Sequence, residues 1–124
     1  MTKRLTALQH SKQSDDYYDS LCSYCIQYVQ ANYNDCGLSA TVLDEKLQYT
    51  PYYISLLFKR KYGISLATYI AKVRIEHAKN DLTTSRKSIK QIAKANGFIN
   101  SNAFIRNFQK FEGMTPGKYR KLNE

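Results

Sequence analysis

The sequence predicts an all-α fold of seven helices, arranged as two helix-turn-helix subdomains joined by a long linker helix. Three observations lead there. No segment alternates apolar and polar residues at the period of two that a half-buried strand requires. Apolar residues recur instead at three and four positions, in short stretches opened by Ser or Thr and closed by Gly. One phrase is also written twice: FKRKYGISLATY from Phe58 and FQKFEGMTPGKY from Phe108. The offset of fifty aligns Gly63 with Gly113, Ser65 with Thr115, Tyr69 with Tyr119, Val42 with Ile92 and Ile54 with Phe104.

Residues 1–14 are polar and aperiodic, which predicts a flexible tail or linker. A first helix is expected from Asp15 to Tyr33, with Asp15, Asp16 and Asp19 complementing its dipole. Its buried stripe is Leu21, Cys22, Cys25, Ile26, Val29 and Tyr33, and Gly37 serves as the stop. The first helix-turn-helix spans about 38–63. Its short helix buries Val42, Leu43 and Leu47, and its second opens with Thr50 as N-cap and Pro51 at the first helical position. Gly63 ends it. The linker helix, about 65–82, is apolar on two sides, with Ile70 and Val73 on one and Ile75, Ala78 and Leu82 on the other. The second helix-turn-helix spans about 88–113. Ser88 and Gln91 form a capping box, Ile89, Ile92 and Ala93 face inward, and Gly97 stops the first helix. Phe104, Phe108 and Phe111 line one face of the next helix, and Thr115 with Pro116 starts the last.

At 124 residues with 43% hydrophobic content, the chain can build a core and is not globally disordered. It shows neither a membrane-length apolar run nor a signal-peptide pattern, so a cytoplasmic location is expected. The net charge of +9 is uneven: residues 1–37 hold three basic and four acidic residues, residues 38–124 sixteen and six. Such a balance suits a polyanion such as nucleic acid, and equally a solvated lysine-rich surface. Cys22, Cys25 and Cys36 make an odd count, against a closed disulfide framework. Cys22 and Cys25 share a helical face and read as small core residues. A metal site would need further ligands that His10 and His77 are not spaced to supply, so neither metal nor cofactor is expected. No nucleophile elbow or phosphate loop points to an enzyme.

A helix-turn-helix reads duplex DNA with its second helix, one face packed on the protein and the other toward base edges in the major groove. In the first copy Ile54, Leu57 and Phe58 face inward, leaving Tyr52, Ser55, Leu56, Lys59 and Arg60 outside. In the second, Ser101, Asn102, Ile105, Arg106 and Gln109 are outside. Arg106 suits guanine and Asn102 adenine, while Leu56 and Ile105 suit either a thymine methyl or further packing.

From about Ile26 to Arg120 the sequence resembles the DNA-binding domain of the AraC/XylS family of bacterial transcription regulators. The second copy carries the resemblance best, in IKQIAKANGF and FIRNFQKFEGMTPGKYR. The first matches at TPYYISLLFKRKYGIS and Tyr69, and RIEHAKNDL resembles the connecting helix. The resemblance implies a domain over 15–124 whose two recognition helices enter adjacent major grooves of double-stranded DNA. Carried over by position, base-reading candidates are Tyr52, Ser55, Leu56, Ser101, Asn102, Ala103, Ile105 and Arg106. Backbone candidates are Lys59, Arg60, Lys90, Gln109 and Lys110. Asp44 stands where the family often has a small residue, Gln48 where it has a turn glycine, and Leu56 near a common arginine. Ile99 replaces a usual polar residue and Gln109 a usual lysine. Copy one is thus expected to read fewer bases directly.

The resemblance admits RNA polymerase as a partner. It also implies an effector-sensing or dimerisation domain absent from this sequence, unless the chain is a small stand-alone member; residues 15–33 are a candidate attachment point. The alternative function is a helical protein–protein adaptor that presents its basic face to an acidic partner.

Overall fold

The computed structural model describes residues 11–124, with side chains from residue 16 onward. Among the described residues there are seven helices: α1 Ser11–Asn32, α2 Ala40–Lys46, α3 Tyr53–Tyr62, α4 Leu66–Thr84, α5 Ile89–Ala95, α6 Ser101–Glu112 and α7 Pro116–Leu122. No strand occurs among them. The expected tail over 1–14 lies outside the described residues up to residue 10.

Helix α1 is already helical at Ser11, the first described residue and ahead of the expected Asp15. Asp15, Asp16 and Asp19 therefore lie beyond the first turn, where the helix dipole is weakly felt. Gly37 does not stop this helix either. The helix ends at Asn32 and a turn follows, closed by the Asp35 N–H donating to the Asn32 carbonyl at 3.0 Å and by Asp35 Oδ1 accepting from the Gly37 N–H at 2.8 Å.

The described chain forms two compact units. The first holds α1 through Ala31 and residues 39–67; the second holds residues 32–38 and 68–124. In the first unit Cys22, Cys25 and Val29 of α1 are buried, as are Leu43, Ile54, Phe58 and Leu66. Val42, expected in this core, is 38% exposed, while Asp44 is 1% exposed. Helix α2 thus turns Leu43 and Asp44 inward where α5 turns Ile92 and Ala93 inward. The two short helices correspond at an offset of 49, not 50; the N-caps Ser39 and Ser88 agree. Helices α3 and α6 do correspond at fifty, through Ile54 with Phe104 and Phe58 with Phe108. The stretch from Leu43 to Ile54 is therefore one residue shorter than the equivalent stretch from Ile92 to Phe104.

In the second unit Ile75, Ala78 and Leu82 of α4 pack with Ile92, Ala93, Phe98, Phe104 and Phe108 in one core, against which Ile89, Phe111, Met114 and Tyr119 close. Phe104 meets Phe108 edge-on, with ring centres 5.8 Å apart, and Phe108 meets Tyr119 edge-on at 5.4 Å. Emptying either phenylalanine position to alanine would cost about 3–5 kcal/mol.

Three clips hold this unit's irregular segments. Arg74 donates from Nε to the Tyr33 carbonyl at 2.8 Å and from Nη2 to those of Asp35 and Leu38 at 2.8 and 3.1 Å, binding the 33–38 loop to α4. Buried Asn96 donates to the Asp81 carboxylate and the Ile92 carbonyl, both at 2.9 Å. Arg120 donates to the carbonyls of Leu82 and Ser85 at 3.0 and 3.2 Å, fixing the exit of α4. The expected Ser88–Gln91 capping box is present in both directions, at 3.1 and 2.9 Å. Thr115 Oγ1 caps α7 with Pro116 behind it.

Candidate nucleic-acid interface

In the second unit, α5, the turn and α6 make a helix-turn-helix. Gly97 adopts φ +87 in the turn, which a side chain rarely does. Asn100 then caps α6, its Oδ1 accepting from the Ala103 N–H at 2.8 Å. With Phe104 and Phe108 buried, Asn102, Arg106 and Gln109 fall on the opposite, exposed face at the i, i+4, i+7 spacing of one helical stripe. Lys110 is exposed beside them, and Ser101 and Ile105 are half-buried at its edge. Arg106 makes no hydrogen bond or ion pair among the described residues, so its fork of donors faces solvent. Ala103 is half-buried, and both its backbone groups are used, the N–H by Asn100 and the carbonyl by Asn107 Nδ2.

The entrance to α6 lies in a surface depression. Lys90 and Lys94 of α5 form one wall, Ile99 to Asn102 another, and Asn34 to Cys36 of the loop a third. It gathers Lys90, Ser101 and Asn102, three of the residues expected from sequence. It adds Lys94 and the loop, which sequence reasoning missed. Lys94 follows Lys90 at i+4 on an exposed face, a signal that was available; the loop's presence depends on the Arg74 clip, which no local pattern reports. Ile99 is 79% exposed here.

In the first unit the corresponding face of α3 carries Tyr52, 73% exposed, and Leu56, 63% exposed, with Lys59 and Arg60 exposed one turn on and Ser55 half-buried. Tyr52, Leu56, Lys59 and Arg60 occupy the places of Asn102, Arg106, Gln109 and Lys110. The neighbouring Lys61 is engaged by Asp19 of α1. Gly63 ends the helix at φ 81, its N–H donating to the Lys59 carbonyl.

The start of α3 differs from expectation. Thr50 is not its N-cap and Pro51 does not occupy its first position. The helix begins at Tyr53, and Tyr52 before it adopts φ 69, ψ −1 with no side-chain cap. A left-handed tyrosine costs about 1–2 kcal/mol. Gln48, at φ 65, takes the left-handed role that Gly97 has in the second turn. The carboxylate of Asp44 offsets the missing cap: Oδ2 accepts from the Tyr52 N–H and Oδ1 from the Ile54 N–H, each at 3.1 Å. Asp44 is the most consequential residue that the sequence reading left without a role.

Cys22 and Cys25 are buried free thiols and Cys36 an exposed one. Burial pushes the Cys25 thiol up to about 12, with Cys22 and Asp44 nearby adding to the effect. Among the described residues no group of three His, Cys, Asp or Glu could hold a metal ion, and no helix is long and apolar enough to cross a membrane.

A helix-turn-helix domain family matches residues 43–122, from within α2 to the end of α7. The chain belongs to the AraC-type helix-turn-helix family. Members of this AraC-type family are DNA-binding transcription regulators, and it is not known as a family of enzymes. Among its relatives is the uncharacterized HTH-type transcriptional regulator YtdP of Bacillus subtilis (strain 168), 35% identical over 109 residues. That match takes in 88% of this chain and 14% of YtdP, so the chain spans about 14% of that relative's length. The AraC-type fold is seen in the C-terminal domain of AraT, a response regulator from Geobacillus stearothermophilus. The TM-score is 0.77 at 29% identity, over 82% of this chain and 84% of that one. The DNA-binding domain of AdpA, a global transcriptional factor solved in complex with a target DNA, shares the fold with a TM-score of 0.74 at 18% identity, over 82% and 90% of the two chains.

Proposed function

We propose that this domain regulates transcription by reading double-stranded DNA with two helices, α3 and α6, placed in adjacent major grooves. The observation that carries the reading is a pair of equivalent outward faces: exposed Tyr52, just before α3, and Leu56 with half-buried Ser55, and exposed Asn102 and Arg106 of α6 with half-buried Ser101 and Ile105. Each lies opposite a face anchored by buried aromatic or aliphatic residues. The AdpA domain, solved on its target DNA, supports it at the level of the fold.

The two faces differ in chemistry. Arg106 and Asn102 offer the donor and acceptor pairs that suit guanine and adenine, whereas Tyr52 and Leu56 offer apolar contact suited to thymine methyls. Each chain accordingly reads an asymmetric site, with α6 supplying most hydrogen-bonded specificity. Ala103, with its backbone committed to the helix start, contributes contact at most through its methyl group. Lys59, Arg60, Lys90, Gln109 and Lys110 contact phosphates and set register without reading sequence. Helix α4 is 19 residues long, about 28 Å at ~1.5 Å per residue. RNA polymerase and an effector-sensing or dimerisation domain are the further partners this reading admits.

Gel shifts on a selected duplex test the assignment. Arg106→Ala should relax preference at one base pair, at a cost of about 1–3 kcal/mol. Lys90→Ala should weaken binding to all sequences alike and lower the salt slope by about 1. Unchanged sequence preference in Arg106→Ala would overturn the placement of α6.

A further inference from the structure

We infer that Asp44 is a positioning residue for DNA reading: from α2 it supplies the N-terminal cap that α3 lacks, and so sets the direction in which Tyr52 and Leu56 face. The inference rests on the reading of α3 as a groove helix. Asp44 is 1% exposed, and its two carboxylate oxygens are divided between the N–H groups of Tyr52 and Ile54, each at 3.1 Å. One of those groups belongs to an exposed reading residue; the other begins the buried side of the same helix. Tyr52 gives its own helix no side-chain oxygen and sits in the left-handed region, a conformation that persists only when its surroundings hold it.

The second unit does the same task by different means. Ala93 occupies the place of Asp44 and has no side-chain oxygen to offer, and Asn100 caps α6 from within its own turn. The first turn has no such cap. The carboxylate therefore crosses from the neighbouring helix, and the constraint falls on Tyr52. The side chains of Ile54 and Phe58 are buried, so α3 should keep its inner packing when the carboxylate is removed. What is lost is the fixed start of the helix, and with it the common face of Tyr52 and Leu56.

The test uses the full chain and a duplex selected by it from random DNA, with two altered duplexes, one scrambled in the half read by α3 and one in the half read by α6. The readout is the ratio of affinities for intact and altered DNA. In Asp44→Ala the α3-half ratio should fall about tenfold, the scale of one lost base-pair preference, while the α6-half ratio holds. Asp44→Asn keeps one acceptor oxygen and turns an amide NH2 donor toward the other N–H, so it should fall between wild type and alanine.

A merely structural role would reduce the active fraction and leave both ratios unchanged; that result, or an equal fall in both, overturns the inference. Should Asp44→Ala fail to fold, Asp44→Asn carries the test. Its Tyr52 and Ile54 amides should exchange faster with solvent while the Ala103 amide does not, together with the lower α3-half ratio. Unaltered exchange and ratio in that variant overturn the inference and leave the DNA reading standing. A wild-type chain that selects no duplex sequence overturns the reading itself, and this inference with it.

Discussion

Gly97 stands against the carbonyl oxygen of Tyr33: a Cβ built on it would lie 2.2 Å from that oxygen and 2.7 Å from Nε of Arg74. The turn of the second helix-turn-helix thus has no room for a side chain, quite apart from its φ of +87. Gly97→Ala should destabilise the domain by about 3 kcal/mol or more, since it adds a backbone collision to the left-handed penalty. Gly113 has φ +75 but nothing within 4 Å of a built Cβ, so Gly113→Ala should cost only about 1–2 kcal/mol. Urea unfolding of the two variants checks the contrast; equal losses would mean that the contact with Tyr33 does not matter.

Arg74 ties the 33–38 loop to α4 through hydrogen bonds to three carbonyls. Arg74→Ala should cost about 2–4 kcal/mol, combining lost charged hydrogen bonds with stranded acceptors. Lysine, a point charge without the fork, should restore less than half of it. Amide exchange of residues 33–38 should rise in both variants.

Burial holds the Cys25 thiol up to about 12, against its ordinary value of 9.0. The folded chain therefore keeps a proton that the unfolded chain releases above 9, so stability contributed by the neutral thiol is complete below pH 9 and is lost as pH rises toward 12. Between those limits the wild type should lose up to about 1.4 kcal/mol per pH unit more than Cys25→Ala does. At neutral pH a thiol reagent should modify exposed Cys36 and spare buried Cys22 and Cys25 until the chain unfolds.

Leu56 is 63% exposed on α3, where a residue that served packing would be covered. Leu56→Ala should change stability by no more than about 0.5 kcal/mol, as at other surface positions. Binding to the selected duplex should nevertheless weaken about fivefold to tenfold, the cost of one lost base contact. Thermal unfolding and gel shifts on the same preparation separate the two effects.

Local chemistry carried the fold class and most helix ends into view. The Ser88–Gln91 box, the Thr115–Pro116 start and the glycines at 63 and 113 act within a few residues, and each appears where its pattern placed it. The outer faces of α3 and α6 were visible for the same reason, because the buried Ile54, Phe58, Phe104 and Phe108 define the inner faces by helical period. The misses came from interactions between elements. Thr50 and Pro51 carry a helix-start pattern, but the start of α3 is set by a carboxylate from α2. Val42 and Leu43 both fit an apolar stripe, and only packing chose Leu43. The loop beside Asn102 reaches that place through Arg74, some forty residues along the chain.

Selection of bound duplexes from a random pool, with wild type and Arg106→Ala in parallel, distinguishes a chain with two DNA-reading helices from one with a single reader. Two different readers on one chain predict an enriched site of two unlike elements, centred about one helical turn, 10–10.5 base pairs, apart. Arg106→Ala should erase preference in one element and leave the other intact. A single contiguous element, a symmetric pair, or no enrichment at all would contradict the account.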